Sequence, residues 1–181
     1  YTVLDFSAVL LAEAEKARES LGETPGLAVR LLRRDLLDED WTDGLDRQRY
    51  DGILAFASLH HIPGSGTRLR LLKQIAALLN PWGSFIHSEW QFQNSPKLMS
   101  RVQPWSLAGV DESDLEPGDT LLDWRHMLTG QEGSSGLRYV HLFNEGELAG
   151  LAADSGFTIA EQFHSDGAGE KLALYQVWQK N

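Results

Sequence analysis

The sequence contains no cysteine, which excludes disulfides, thiolate metal sites and a cysteine nucleophile and accords with a reducing compartment. No apolar run approaches the roughly 20 residues that a membrane-crossing helix needs. The opening residues, Tyr1-Thr2-Val3-Leu4-Asp5, also lack the basic segment of a secretory signal. These absences predict a soluble, cytoplasmic protein with no membrane partner. Positive charge is scarce as well: 16 Lys and Arg stand against 26 Asp and Glu, a net charge of −10. Affinity for phosphate backbones comes from basic side chains displacing counterions, so DNA is not an expected partner. Local basic groups remain at Arg30, Arg33 and Arg34, at Arg47 and Arg49, and at Arg68, Arg70 and Lys73. Solvated rims of helices and loops are the ordinary reading of such groups. An apolar content of 42% over 181 residues suits a single domain, residues 1–181, with a real core.

Along the chain, strand and helix patterns alternate. Residues 1–4 read as a strand ending at Asp5. A helix capped by Ser7 then carries Val9, Leu10, Ala14 and Ala17 at helical spacing, before Gly22 and Pro25 end it. Residues 27–32 read as a second strand, and residues 35–46 as an acidic loop. Residues 53–57 form a near-continuous apolar run, as in a strand covered on both faces. Thr67 is the predicted cap of a helix bearing Leu69, Leu72, Ile75, Ala76 and Leu79, which Pro81-Trp82-Gly83 ends before a strand at 85–90. This order implies an open parallel α/β sheet. Residues 91–138 break the rhythm and read as an irregular insertion or lid, with a Ser/Gly-rich flexible stretch at 129–136. Asn144 then caps a helix with Leu148, Leu151 and Ala152, and Gly156 ends it. Strands at 157–163 and 172–179, joined by Asp166-Gly167-Ala168-Gly169, form a closing antiparallel hairpin.

Several side chains have chemistry to offer. Asp5 ends a strand, where open α/β sheets bind ligands; it can accept from both hydroxyls of a ribose or simply cap the next helix. Asp35 follows the second strand in the same way. His60 and His61 are adjacent, with no cysteine or acidic partner at ligand spacing, so no metal is expected. His61 reads either as a substrate-facing acid/base group or as a structural helix cap. Arg138 is a permanently charged fork suited to a carboxylate or phosphate. Trp90, Trp124 and Tyr139 can stack on a base or pack in the core, while Trp82 and Trp178 are assigned to packing.

The run Asp51-Gly52-Ile53-Leu54-Ala55-Phe56-Ala57-Ser58-Leu59-His60-His61, then Arg68, then Leu79-Asn80-Pro81-Trp82-Gly83 before Phe85-Ile86, resembles the central signature of class I S-adenosylmethionine-dependent methyltransferases. Tyr1-x-x-Leu4-Asp5-Phe6-Ser7 is similar to the same family's second-strand motif. The resemblance implies a Rossmann-like fold, mostly parallel, with an antiparallel hairpin at its end. It implies S-adenosylmethionine as cofactor, with Asp5 on the ribose, Asp35 on the adenine, Phe6 and Leu36 beside them, and Phe56 and Ala57 beneath the sulfonium. The family's glycine-rich loop has no counterpart, so the fold's first strand and helix are expected to be absent from this chain. An upstream segment, a partner chain or a rearranged sheet would then supply the central strand. A non-catalytic interaction module is the alternative of another class.

Gly118-Asp119, Asp123-Trp124 and Arg138-Tyr139-Val140-His141-Leu142-Phe143-Asn144-Glu145-Gly146-Glu147-Leu148 resemble the branch that esterifies a carboxymethyl group on the wobble uridine of tRNA. Asp123 replaces that branch's proline and Val140 its tyrosine. This narrower resemblance implies tRNA as partner and a small activator subunit, with a small-molecule acceptor as the alternative. It implies His61, Arg138 and His141 as catalytic residues, and Trp90, Trp124, Arg138 and Tyr139 as the acceptor-binding group.

Overall fold

The computed structural model describes residues 1–20, 22, 26, 28–47, 50–125, 135–167 and 169–181. The expectations placed on Pro25, Leu27, Arg49, Ala168 and most of the stretch 129–136 lie outside the described residues. The described chain divides into two compact units, residues 1–45 and 46–181.

In the first unit, β1 (Thr2–Asp5) and β2 (Arg30–Arg33) pair in parallel, with α1 (Ala8–Ser20) as the crossover. Ser7 caps α1 as expected, its Oγ accepting from the Leu10 N–H at 3.3 Å. The expected apolar face of α1 is not buried: Val9 is 72% and Leu10 58% exposed. Two short strands offer too little sheet surface to cover a 13-residue helix. The second strand begins at Arg30, later than the apolar pattern predicted.

The second unit holds β3 (Tyr50–Phe56), α2 (Ser65–Leu78), β4 (Leu79–Trp90), α3 (Pro96–Met99), β5 (Val102–Gln103), β6 (Asp119–Arg125), β7 (Ser135–His141), α4 (Glu145–Ser155), β8 (Phe157–Ser165) and β9 (Ala173–Lys180). Four strands form one sheet in the order β3-β4-β9-β8; β3 and β4 are parallel, and β9 joins β4 and β8 antiparallel. The closing hairpin is thus as predicted. Phe85, Leu174 and Trp178 fill its core, and α2 packs on α4 through Leu71, Leu72, Ile75, Leu148 and Leu151. No described helix is long and apolar enough to cross a membrane.

Three local expectations need correction. Pro81-Trp82-Gly83 does not separate helix from strand: β4 begins at Leu79 and runs through it, with the β3 partnership shifting between Leu79 and Ser84. Trp82 sits there at φ +66° and is 77% exposed, so it is not a packing residue. Thr67 does not cap α2. The helix starts at Ser65, and the Glu116 carboxylate, distant in sequence, accepts the Ser65 N–H at 2.8 Å. A carboxylate there also complements the positive end of the helix dipole, so a tertiary partner replaces the local cap.

The span 91–138 is more ordered than an irregular lid. It contributes α3, several single 3₁₀ turns and two strands of a three-stranded antiparallel sheet in the order β5-β6-β7. Leu121-Leu122-Asp123-Trp124 carries no period-2 alternation, and only its pairing with β7 makes it a strand.

Candidate functional site

In the second unit, β3 ends against a 3₁₀ turn over Leu59–His61, at the carboxyl end of a parallel strand pair. Ligands gather at such ends in open α/β sheets. Ala57 opens the turn at φ +50°, a region that L residues rarely adopt. Its N–H is held by the Ser88 carbonyl and hydroxyl, both at 3.1 Å, which keeps this strained conformation in place.

Glu89 of β4 clamps the turn from below. Its Oε2 accepts the His60 main-chain N–H at 3.0 Å and lies 2.8 Å from His60 Nδ1, while Oε1 lies 2.9 Å from His87 Nδ1. All three side chains are fully buried. Burial raises the Glu89 carboxyl well above the ordinary range and lowers His60 to about 2 and His87 to about 3. Proton accounting points the same way. The Trp90 N–H reaches His60 Nδ1 at 3.3 Å, so Nδ1 offers a lone pair and the short Glu89 contact is filled by a carboxyl O–H. The trio is therefore a neutral acid between two neutral imidazoles.

Above this clamp sit partly exposed groups. The His61 ring meets His60 edge-on at 4.4 Å between centroids and Trp90 at 5.8 Å, and its Nδ1 bonds the Tyr139 carbonyl oxygen at 3.0 Å. Burial lowers the His61 pKa, and the Arg138 charge lowers it further. Arg138 itself stacks on Trp124, its guanidinium carbon 3.7 Å from the ring centre. Register explains the stack: Trp124 faces Gly136, and Arg138 is the diagonal neighbour on the same sheet face, so the missing side chain at Gly136 leaves room for it. Arg138 forms no ion pair among the described residues. A half-buried, unpaired guanidinium is a receptor for an anion.

Strand alternation sends Tyr139 and His141 to the opposite face of β7. There Asp119, directly across from His141, bonds both His141 Nδ1 and the Tyr139 hydroxyl at 2.6 Å. His141 Nε2 meets Glu147 at 2.9 Å. Arg68 completes the network: it is fully buried, donates to Glu116 at 2.5 Å, to the Ile62 carbonyl at 3.1 Å and to the Tyr139 hydroxyl at 3.3 Å, and lies over Phe143. Glu116, Asp119 and His141 bring one ligand atom each within 4.8 Å, yet each is already engaged by this chain's own donors and acceptors.

In the first unit, Asp5 and Asp35 stand at the carboxyl ends of β1 and β2, each Oδ1 accepting a main-chain N–H two residues on, from Ser7 at 2.7 Å and Leu37 at 2.9 Å. A cavity of about 580 Å³ opens beside Asp35, lined by acidic side chains, by Phe6 and Trp41 and by Arg33 and Arg34. Its size fits a nucleoside, whose hydroxyl and amino groups would donate to the carboxylates.

Comparison with known proteins agrees with this architecture. Residues 1–85 match the family model described as "Methyltransferase domain". No curated protein matches the chain by sequence. Among solved structures, the chain is similar to an S-adenosylmethionine-dependent methyltransferase from Methanosarcina mazei, with TM-score 0.69 and 18% identity over 99% of this chain and 81% of that one. One from Clostridium acetobutylicum gives 0.68 and 15%, over 99% and 74%. The 1,6-didemethyltoxoflavin-N1-methyltransferase of Burkholderia thailandensis, solved with 1,6-didemethyltoxoflavin and S-adenosylhomocysteine bound, gives 0.62 and 20%, over 99% and 60%. The fold is that of a class I methyltransferase.

On this methyltransferase fold the residues read from sequence fall into three places. Asp5, Phe6, Asp35 and Leu36 lie in the first unit, with Phe6 and Asp35 lining its cavity. Phe56 and Ala57 end β3 in the second unit. His61, Trp90, Trp124 and Arg138 gather around the turn and the face of β7 that carries Arg138. Tyr139 and His141 do not join them. His141 is 1% exposed with both ring nitrogens taken by carboxylates, so it has none left for an acceptor, and the Tyr139 hydroxyl is likewise spent. Arg68 is an interior residue, not part of a surface basic patch. Arg30, Arg33 and Arg34 are engaged by main-chain carbonyls. Sequence reasoning missed Glu89 and the Arg68–Glu116–Asp119 network. An acid near the end of a largely apolar strand was the available signal for Glu89.

Proposed function

We propose that the chain is an S-adenosylmethionine-dependent methyltransferase whose acceptor binds in the second unit, against Arg138 and the turn bearing His61. One observation carries the reading: the Arg138 guanidinium, which forms no ion pair among the described residues, is stacked on Trp124, is close enough to His61 to lower its pKa and lies beside the carboxyl end of β3 in a methyltransferase fold. In the first unit, Asp5, Phe6, Asp35 and Leu36 hold the nucleoside half of the cofactor. The bound cofactor supplies an electrophilic methyl group. The protein's part is then to align the acceptor, exclude water and manage charge, which needs no covalent intermediate. The acceptor is a small, planar molecule whose reacting atom, carrying or developing negative charge, faces Arg138. The net charge of −10 favours a small acceptor over a polyanion.

A second reading, the carboxylate of a modified tRNA uridine, draws on the same Arg138–Trp124 stack. The two separate by incubation with labelled S-adenosylmethionine and bulk tRNA: label that enters tRNA and is lost in Arg138→Ala favours the second. The cofactor assignment is tested by calorimetric titration with S-adenosylhomocysteine. We expect binding that weakens roughly tenfold to a hundredfold in Asp5→Asn, the loss of a charged hydrogen-bond acceptor. Absence of binding by the parent chain refutes the proposed function.

A further inference from the structure

The turn over Leu59–His61 fixes the position of one proton. A carbonyl oxygen has no hydrogen to give, so the 3.0 Å contact between His61 Nδ1 and the Tyr139 main-chain oxygen requires Nδ1–H. A neutral imidazole with its proton on Nδ1 presents Nε2 as a bare lone pair. The surroundings keep the ring neutral. His60, Trp90, the Tyr139 carbonyl and the Arg138 charge face it, and among the described residues no carboxylate bonds it. Glu89 is committed to His60 and His87, and Asp119 to Tyr139 and His141. The ring is half-buried, and Nε2 makes no hydrogen bond among the described residues.

We propose that His61 Nε2 is the general base of this site and that the acceptor is a weakly acidic O–H or N–H compound, such as a phenol or a ring N–H, rather than a preformed anion. This rests on the methyltransferase reading. As the acceptor atom bonds the methyl carbon, its proton passes to Nε2, and the electron pair of the broken carbon–sulfur bond stays on sulfur. The sulfonium charge disappears as the imidazolium forms, so charge balances. Arg138 stabilises the negative charge that develops on the acceptor atom. A carboxylate, already ionised, would have no use for a base whose lone pair is aimed at the acceptor.

Nitrogen-15 spectra of the histidine side chains in the full chain test this directly, with His61→Gln identifying the signal by its loss. At pH 7 the expected pattern is a protonated Nδ1 and a pyridine-like Nε2. A protonated Nε2 or a charged ring at pH 7 overturns the proposal. With S-adenosylhomocysteine present, phenol is then expected to shift the Nε2 signal in the direction of hydrogen-bond acceptance, and less so in Arg138→Met, while benzoate leaves it in place. A shift caused by benzoate alone, or by neither probe, also overturns it. Failure to bind S-adenosylhomocysteine defeats the proposed function separately, because the tautomer is read without any ligand.

Discussion

Glu89→Gln removes the proton at issue: glutamine keeps the shape and can donate to His60 Nδ1 while accepting from His87 Nδ1, and the acceptor it takes from the His60 main-chain N–H is a cost that does not vary with pH. In the folded chain Glu89 holds its proton well above its ordinary pKa of 4.5, whereas His60 and His87 stay neutral far below theirs of 6.5. Between about pH 4.5 and 6.5, unfolding takes up a proton on each imidazole and releases one from Glu89. The unfolded state then binds the net extra proton, so the trio's contribution to stability rises about tenfold in folding constant per pH unit. Above about pH 6.5 only Glu89 differs between the states, and the folded chain holds the extra proton. Stability from this source therefore falls by the same factor per unit until the folded carboxyl ionises. Removing Glu89's proton steepens the acid limb to about a hundredfold per unit and flattens the alkaline one. All other groups titrate alike in both proteins, so the ratio of their folding constants climbs about tenfold per pH unit above roughly pH 5. With a urea dependence of about 2 kcal/mol per molar, the variant's midpoint gains on the parent's by roughly 0.7 M per unit. Urea titrations at several pH values, followed by tryptophan emission, measure it. Midpoints that keep a constant separation would show an ionised Glu89 between neutral imidazoles, with no extra proton held by the folded trio, and would refute the proton count.

The Arg68→Met substitution keeps the apolar stem but leaves Glu116 and Glu147 without their cation and the Ile62 carbonyl without its donor. Those carboxylates are 33% and 25% exposed, so water screens part of the loss. We expect about 3 kcal/mol, the low end for breaking a buried ion pair. Part of it should return in the Arg68→Met, Glu116→Gln double variant; denaturant midpoints give both numbers, and strict additivity would mean the pair is not coupled. Gly118→Ala should cost about 2 kcal/mol or more. Gly118 holds φ +102°, and a Cβ there would stand 2.8 Å from the Leu142 carbonyl and 3.1 Å from His141 Cε1. An unchanged melting midpoint would show that the β6 entry can shift freely.

The resemblance around residues 51–86 led to the right fold because a parallel strand, its turn and its crossover helix are dictated by local pattern and short connections, although β3 is an edge strand with Leu54 and Phe56 exposed, not the strand covered on both faces that its apolar run predicted. The closing hairpin was legible for the same reason: Asn144, Gly156 and Gly167 punctuate it with caps and turns that each depend on one residue's own chemistry. The motif around Arg138 was misread as one group because spacing in sequence carries no information about sheet face until the strand is known. Once β6 and β7 pair, residues 138 and 139 must point opposite ways. Arg138 meets Trp124, and Tyr139 turns inward to Asp119.

By itself, then, the amino-acid order determined the alternation of strands and helices, the caps of the last helix, the acidic character that disfavours polyanions, and the residues able to do chemistry. Only the tertiary structure decided which of them meet. Glu89 reaches across 29 residues to His60, and Glu116 across 51 to cap α2 at Ser65. His61 receives its tautomer from a carbonyl 78 residues away. Such partners are chosen by sheet register and burial, which exist only after the chain has closed on itself.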